Sequence, residues 1–320
     1  MNNAEAVTLG HQVFTPNYKQ QPVVLVRGQG VFAWDGDGKR YLDMIAGIAS
    51  LPLGHCHPAV VAALRAQADT LWHTANTFFN PGSLQLAERL CALSFGQRVF
   101  LANSGTEANE AALKAVRRYH YSRGDKARTE IVSLEGSFHG RTLGSLAATA
   151  QPKYHEGIGP LPPGFRYIPA GDLTALAGAL TKTTAAIIAE TVQGEGGVRP
   201  LPRGYFASLR ELCDKAGVLW IDDEVQAGVG RSGALFGYEL EGVTPDVMTL
   251  AKGLGNGIPI GAMVATAAVG DALQPGTHAS TFGGNPLACA CALAVLDVIV
   301  KDKLWEQSAH GGEYLRGRLS

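Results

Sequence analysis

A single lysine stands at the end of an apolar run and directly before a glycine-rich loop. The run is 247–251, the lysine is Lys252, and the loop continues to Gly261. A lysine at the end of a buried strand loses hydration, which favours the neutral amine and lowers its pKa. A neutral amine attacks aldehydes, so Lys252 is a candidate nucleophile. The alternative is a surface lysine that lays its stem along apolar neighbours and keeps its charge in water.

Two other segments follow predicted strands and open predicted helices. The first, Asn103–Thr106, combines helix N-terminal N–H groups with a glycine and hydroxyls, which suits phosphate but also suits a simple helix cap. In the second, Gly136–Thr142, Phe138 could stack on an aromatic ring and Arg141 could bind a carboxylate through two hydrogen bonds. A packed loop with a surface arginine is the alternative for the second segment.

Carboxylates cluster at the end of a predicted hydrophobic strand, at Asp222, Asp223 and Glu224. The carboxyl ends of strands in open α/β sheets are where ligands bind. A buried carboxylate there can hold a protonated ring nitrogen and make the ring an electron sink, or it can be an ordinary cap or ion-pair partner. The segment Ser280–Pro286 is a further candidate anion contact, with a plain turn before a helix as its alternative.

Two motifs match the patterns of binding sites, one for a dinucleotide and one for a metal, but the residues around them do not support these functions. Gly228–Gly233 matches the dinucleotide-binding pattern, but no helix start follows it and Pro245 interrupts the next stretch. His55 and His57 flank Cys56, but neighbouring side chains on an extended chain point in opposite directions, and no second pair of metal-type ligands is close in sequence. We therefore expect neither a nicotinamide site nor a metal site.

The elements that must position these side chains alternate between strands and helices. Strands are predicted at 98–102, 130–134, 185–190, 218–222, 247–250 and 261–265; helices are predicted from Pro58 and at 83–93, 106–122, 142–148, 172–180, 205–216 and 286–302. This alternation indicates an α/β fold with a largely parallel sheet covered on both faces. Short strands are predicted at 23–26, 31–34 and 39–44, and a helix broken near Gly311 is predicted at 304–320.

The composition of the chain argues against several classes of partner and location. The chain has 320 residues, enough for about two domains, and carries 27 basic against 28 acidic side chains, a balance that argues against a nucleic-acid partner. Its five cysteines form no disulfide-type pattern, which favours a reducing cytoplasm. No secretory signal is visible, and the longest apolar run, 287–300, contains Asp297 and is too short to cross a bilayer.

In order and spacing, several of these segments resemble the class III pyridoxal-phosphate aminotransferases. The resemblance runs from about Phe14 to Leu296 and rests on segments 103–110, 137–142, 193–197 and 223–226 and on Lys252. It implies fold type I, with a mostly parallel central sheet flanked by helices. It further implies that 1–46 belongs to a small domain, that 47–285 forms the large cofactor-binding domain, and that 286–320 is a connecting helix with the start of an incomplete C-terminal domain.

The resemblance also implies roles toward pyridoxal phosphate. Lys252 is expected to bind the cofactor covalently and to move protons, and Asp223 to pair with the ring nitrogen. Gln226 is expected to contact the phenolic oxygen, and Phe138 to stack on the ring. The full set of expected cofactor contacts is Gly105, Thr106, Phe138, Asp223, Glu224, Val225, Gln226, Lys252 and Thr281.

For substrate, the resemblance implies that Arg141 binds the α-carboxylate, that Ser280 lies near the substrate, and that Glu195 pairs with an arginine until glutamate arrives. Thr281 is expected to reach the phosphate of a neighbouring subunit, which implies a homodimer with shared active sites. One departure is Thr191, which stands where the family usually has proline.

Within the family, segments 53–58, 71–74, 151–154 and 280–288 resemble the acetylornithine aminotransferases most. The expected reaction moves the δ-amino group of N2-acetyl-L-ornithine to 2-oxoglutarate, a step of arginine biosynthesis. Ornithine, succinylornithine or 4-aminobutyrate as donor remain open, and so does a truncated, non-catalytic protein that binds the cofactor.

Overall fold

The computed structural model describes all of residues 1–320. It begins with α1 (Asn3–Val13), β1 (Leu25–Gln29), β2 (Phe32–Asp35), β3 (Arg40–Leu42), α2 (Ala46–Ala49), α3 (Pro58–Ala68) and α4 (Pro81–Leu93). It continues with β4 (Arg98–Ala102), α5 (Gly105–Ser122), β5 (Glu130–Leu134), α6 (Leu143–Ala148), β6 (Phe165–Ile168), α7 (Leu173–Ala179), β7 (Thr184–Ala189), β8 (Val192–Gln193) and β9 (Arg199–Pro200). The last elements are α8 (Tyr205–Ala216), β10 (Leu219–Asp223), β11 (Val247–Leu250), β12 (Gly261–Ala265), α9 (Ala267–Gly270), α10 (Pro286–Lys301) and α11 (Leu304–Leu319).

A seven-stranded sheet forms the centre of the molecule, with the strand order β4-β12-β11-β10-β7-β5-β6. Neighbouring strands run parallel except at β12, which is antiparallel to both β11 and β4. The sheet is therefore mixed but mostly parallel, as the α/β pattern predicts. β4 points the same way as β11, since each is antiparallel to the strand between them.

Helices cover both faces of this sheet. The strands β7 and β10 to β12 are buried along their whole length, which explains why their sequences are mostly apolar instead of alternating, apart from the two aspartates that end β10. On one face, α5 packs through small residues such as Ala108, Ala111 and Ala115, so its backbone lies close to the strands. On the other face, Phe206 of α8 stacks on Trp220 with ring centres 5.2 Å apart.

The sequence pattern missed some elements and misplaced one feature. It did not predict β6 at the sheet edge or α1, which begins with Asn2 and Glu5 capping each other's backbone N–H groups. The predicted break near Gly311 was wrong, because α11 continues through Gly311 and Gly312. The low helix propensity of these two glycines does not interrupt the helix, and a Cβ at either position would meet nothing within 4 Å.

The predicted N-terminal strands are present as an antiparallel sheet of β1, β2 and β3, separate from the central one. No helix in the structure combines the length and the apolar character that crossing a membrane requires. No cluster of three or more histidine, cysteine, aspartate or glutamate side chains has a metal-binding arrangement. His55 instead contacts Asp43 at 2.7 Å.

Candidate active site

A cavity of about 400 Å³ lies at one edge of the central sheet, where several parallel strands end. Residues that directly follow β4, β7, β10 and β11 line it, because the carboxyl ends of these strands meet at this edge. The predicted site residues among its lining are Gly105, Thr106, Phe138, Arg141, Glu195, Asp223, Val225, Gln226 and Lys252. The fold thus brings together segments that are up to about 150 residues apart in sequence.

Lys252 follows β11 and lines the cavity half-buried. Burial lowers its pKa, while the carboxylates of Asp223, Glu195 and Glu190 act in the opposite direction. Its backbone has φ = +39°, in the left-handed region that residues with a side chain seldom adopt. Strained backbone of this kind is maintained by its surroundings and concentrates at functional sites.

Asp223, the last residue of β10, is held by two buried side chains that the sequence analysis did not single out. Its Oδ2 accepts a hydrogen bond from His139 Nδ1 at 2.7 Å and another from Asn109 Nδ2 at 2.7 Å. Thr249 Oγ1 donates to Asn109 Oδ1 at 2.7 Å and so fixes the orientation of the Asn109 amide. These donors stabilise a carboxylate that is only 3% exposed.

One of these two supporting residues left a signal in the sequence. Asn109 is a polar residue on the buried face of α5, which around it is apolar and rich in alanines such as Ala108, Ala111 and Ala112. A polar side chain in such a position needs a hydrogen-bond partner, which the sequence alone does not identify. His139 lies in a loop, where no periodicity marks it as buried.

Gly105 and Thr106 form the first turn of α5, which Ser104 caps by accepting a hydrogen bond from Glu107 N. The first N–H groups of a helix have no acceptor within the helix, so this turn can bind an anion. A Cβ on Gly105 would come within 2.6 Å of Val225 Cγ1, so only glycine fits here. Thr106 Oγ1 lies 2.9 Å from Thr142 Oγ1, which donates to Glu110.

Arg141 lies against two aromatic rings at the exposed side of the cavity. Its guanidinium carbon is 3.9 Å from the centre of the Tyr154 ring and 5.5 Å from that of Phe138. The two rings meet edge to face with centres 5.9 Å apart. Cation–π contacts restrict the guanidinium without using its N–H groups, which stay available for a carboxylate.

Glu190 and Glu195 lie beside the cavity in different environments. Glu190 is buried and accepts hydrogen bonds from Phe138 N at 2.9 Å and from Gly194 N at 3.2 Å, so it joins two loops. Burial raises the pKa of Glu190 to about 7. Glu195 is exposed, and its Oε1 accepts a hydrogen bond from Gln226 Nε2 at 3.3 Å.

The remaining predicted site residues lie outside the cavity lining. Glu224 is buried and accepts a hydrogen bond from Tyr238 N at 2.9 Å. Ser280 and the exposed Thr281 line an adjoining groove, where Ser280 Oγ accepts from Asn103 Nδ2 at 3.3 Å. Their expected roles toward a neighbouring subunit therefore stay predictions.

The dinucleotide-type segment Gly228–Gly233 lies in turns, and the short 3-10 helix Gly237–Glu241 follows it instead of an α-helix. It therefore lacks the strand–turn–helix context that a dinucleotide site requires.

The cavity fits pyridoxal phosphate. The first turn of α5 suits a phosphate, Phe138 offers an aromatic face, and the ionised form of Asp223 suits a protonated ring nitrogen. Lys252 enters the same cavity with a lowered pKa. The lack of a side chain at Gly105 lets the phosphate-binding turn lie next to Val225, in the segment that follows Asp223.

Comparison with known proteins agrees with this chemistry. The family model "Aminotransferase class-III" matches residues 13–320. Acetylornithine aminotransferase of Myxococcus xanthus is 51% identical over 302 residues, which cover 94% of this chain and 75% of that protein. The relatives extend beyond the matched length, since the chain covers about three quarters of them.

Solved structures show the same fold. The ornithine aminotransferase of Toxoplasma gondii superposes with a TM-score of 0.96 at 37% identity, covering 99% of this chain and 76% of that one. An acetylornithine aminotransferase of Elizabethkingia anophelis gives a TM-score of 0.89 at 35% identity, covering 100% and 78%. The chain belongs to the class-III aminotransferases, which depend on pyridoxal phosphate.

Proposed function

We propose that this aminotransferase moves the δ-amino group of N2-acetyl-L-ornithine to 2-oxoglutarate, yielding N-acetyl-L-glutamate 5-semialdehyde and L-glutamate. The observation that carries the chemistry is the placement of Lys252 and Asp223 in one cavity beside Arg141. The observation that favours this donor is the set of relatives at about 50% identity, which are acetylornithine aminotransferases. Such a reaction belongs to arginine biosynthesis, and we place it in the cytoplasm.

Bound pyridoxal phosphate supplies an electrophilic carbon and a ring that accepts electrons. Lys252 has the property that the covalent attachment needs, because its lowered pKa enlarges the neutral fraction of the amine. Lys252 lines this cavity, where its Nζ would serve as a base. It would hold the proton that leaves the carbon bearing the substrate amine and pass it to the electron-accepting cofactor.

The carboxylate of Asp223 lies where the ring nitrogen is expected, and protein donors orient it. His139 and Asn109 both donate to the same oxygen of its carboxylate. Val225 N donates to its other oxygen at 3.1 Å. The carboxylate is therefore oriented before any ligand arrives, which lowers the cost of reorganisation during the reaction.

Substrate carboxylates are the proposed ligands of Arg141. The guanidinium is held over Tyr154 while its N–H groups stay accessible, a geometry that suits two parallel hydrogen bonds to a carboxylate. Glu195 lies on another wall of the cavity with a hydrogen bond from Gln226. We propose that Glu195 pairs with the C-terminal arginine expected from the family until glutamate binds.

Ornithine, succinylornithine and 4-aminobutyrate remain alternative donors. Ornithine is favoured by one observation, the TM-score of 0.96 with an ornithine aminotransferase. The higher sequence identity to acetylornithine aminotransferases favours the acylated donor.

We also propose a homodimer in which Ser280 and Thr281 serve the neighbouring active site. Large apolar side chains are exposed next to these residues: Trp72, Phe78, Phe79 and Phe282 are each at least 60% exposed. The two segments that carry them are joined, because Asn76 Nδ2 donates to the carbonyls of Ser280 and Gly283. An apolar surface of this kind favours a second protein chain, and a monomer in sedimentation equilibrium would contradict the proposal.

Initial rates with the four donors and 2-oxoglutarate test the substrate assignment. We expect kcat/KM for N2-acetyl-L-ornithine to exceed that for 4-aminobutyrate by at least about tenfold, a difference of about 1.4 kcal/mol in transition-state binding. Arg141→Lys should raise KM for the α-carboxylate donors, because lysine cannot form the two-pronged contact. If N2-acetyl-L-ornithine is not among the best donors, the assignment is wrong.

A further inference from the structure

Two buried carboxyl groups flank Asp223 along the chain, Asp222 within β10 and Glu224 directly after it. Successive side chains of a strand point to opposite faces, so Asp222 and Asp223 lie on opposite sides of β10. Asp222 is 0% exposed and Glu224 is 1% exposed. Each carboxyl group shifts the pKa of the other, so the two lie close together, and no lysine, arginine or histidine pairs with either.

The hydrogen bonds of the pair leave one oxygen of each carboxyl group unaccounted for. Glu224 Oε1 accepts from Tyr238 N at 2.9 Å, and Asp222 Oδ1 accepts from Thr191 Oγ1 at 3.5 Å. Glu224 Oε2 and Asp222 Oδ2 are buried with no donor from the rest of the protein. Two facing carboxylate oxygens repel each other, whereas one proton between them satisfies both.

We propose that Asp222 stays protonated and donates to Glu224, and that this neutral donor is a positioning element for the cofactor carboxylate Asp223. A neutral Asp222 removes one negative charge from the position next to Asp223. Its hydrogen bond also anchors Glu224, the residue that connects β10 to Val225 and Gln226 in the cavity wall. The proposal rests on the proposed role of Asp223.

The groups around the pair are consistent with this arrangement. Tyr238 from the following 3-10 helix is the titratable group beside the pair, while Asp223 lies on the other side of the strand with Glu190 and His139. Burial and the nearby carboxylates raise the pKa of Asp222 well above its usual range. The hydroxyl of Thr191, at the position where proline is usual in the family, supplies the other hydrogen bond to Asp222.

The proposal has a consequence for stability that involves no cofactor. Asp222 ionises at about pH 4 in the unfolded chain but keeps its proton in the folded one. The folded state therefore binds one more proton between pH 5 and pH 8, and a rise in pH through this window destabilises it. Asp222→Asn replaces the acid by a neutral donor and removes this contribution, while all other titrating groups are common to both proteins.

Thermal unfolding of the cofactor-free protein and of Asp222→Asn between pH 5 and pH 8 tests the shared proton. As the pH rises from 5 to 8, we expect the melting temperature of Asp222→Asn minus that of the wild type to increase by roughly 4 °C or more. The matched control is Asp297→Asn, which changes an exposed aspartate on α10 and should leave the difference from wild type constant with pH. If the curves of Asp222→Asn and wild type run parallel, Asp222 is not protonated and the proposal fails.

Equilibrium binding of pyridoxal phosphate tests the positioning role. Asp222→Asn should bind within about threefold of wild type at neutral pH, because the amide still donates to Glu224. Asp222→Ala leaves Glu224 Oε2 unpaired and should bind about tenfold more weakly, the effect of one lost buried hydrogen bond. Equal weakening in both variants would show that the negative charge of Asp222 is required and would overturn the proposal.

A second variant covers the case in which Asp222→Asn does not fold. Glu224→Gln keeps an oxygen for Tyr238 N and offers an amide donor to Asp222, so it should fold. Its failure, together with that of Asp222→Asn, would contradict the shared proton. Because unfolding is measured without cofactor, its result stands apart from whether the protein is an acetylornithine aminotransferase.

Discussion

Asp223 is a buried carboxylate, and its hydrogen-bond donors determine how it is presented to the cofactor site. His139 and Asn109 donate to one oxygen, and Val225 N donates to the other. These three donors fix the orientation of the buried carboxylate. The same reasoning separates Asp223 from Asp222, its buried neighbour without a charged partner.

Replacing His139 by phenylalanine should weaken cofactor binding by about 10- to 100-fold, because a charge-assisted hydrogen bond contributes about 1.5–3 kcal/mol. Phenylalanine keeps most of the buried volume but cannot donate to Asp223. The measurement is equilibrium binding of pyridoxal phosphate to the cofactor-free protein. The control is His120→Phe, since His120 is equally buried on α5 but bonds to the carbonyl of Ala185.

The control should lower thermal stability without a comparable loss of affinity. If His139→Phe and His120→Phe bind the cofactor equally well, His139 does not support Asp223.

At the scale of single residues, the sequence identified Lys252 and Asp223, because a lysine and acids at strand ends are conspicuous. It missed His139 because a loop gives no signal of burial.

At the scale of elements, the first turn of α5 and the segment after β10 fit each other only because residue 105 is a glycine. A Cβ there would meet both methyl groups of Val225, at 2.6 and 2.9 Å. The backbone of the turn can therefore approach the cavity wall, which a larger residue would prevent. The element boundaries around this contact, at Ala102 and Gly105, follow the sequence pattern closely.

Gly105→Ala should lower stability by about 1–3 kcal/mol, because overpacking forces the turn and Val225 apart. It should also weaken cofactor binding, since the phosphate-binding N–H groups move. The double variant Gly105→Ala with Val225→Ala removes both methyl groups and should recover part of each loss. Chemical denaturation and cofactor titration of the two single variants and the double variant measure this coupling.

The matched control is Gly311→Ala on the exposed helix α11, where a new Cβ meets nothing within 4 Å. It should be neutral or stabilise the protein by up to about 1 kcal/mol, because alanine favours helix more than glycine does. Purely additive effects of the Gly105 and Val225 changes would contradict the contact.

At the scale of the whole molecule, the site depends on strand order. Lining residues come from the ends of β4, β7, β10 and β11, and the antiparallel β12 lies between β4 and β11. Alternating strands and helices predicted a largely parallel sheet. They could not predict the position or direction of β12, because a buried strand has the same apolar sequence in either orientation.

The same limit applies to the edges of the molecule. β6 pairs with only one strand and carries exposed residues such as Arg166 and Tyr167, so its sequence lacks the apolar run that marked β5 and β7. The segments that carry the chemistry could be predicted because their residue types are unusual together. The strand order of the sheet brings these segments together in one cavity. The sequence pattern alone could not predict which of them would be in contact.

The absorption spectrum of the purified protein with pyridoxal phosphate, before and after N2-acetyl-L-ornithine is added, tests the central assignment of Lys252. We expect the band of lysine-bound cofactor in the wild type and in the control Lys215→Ala, whose lysine lies exposed on α8. The donor should bleach this band, and Lys252→Ala should not form it. An unchanged band in Lys252→Ala, or no band in the wild type, would contradict the account.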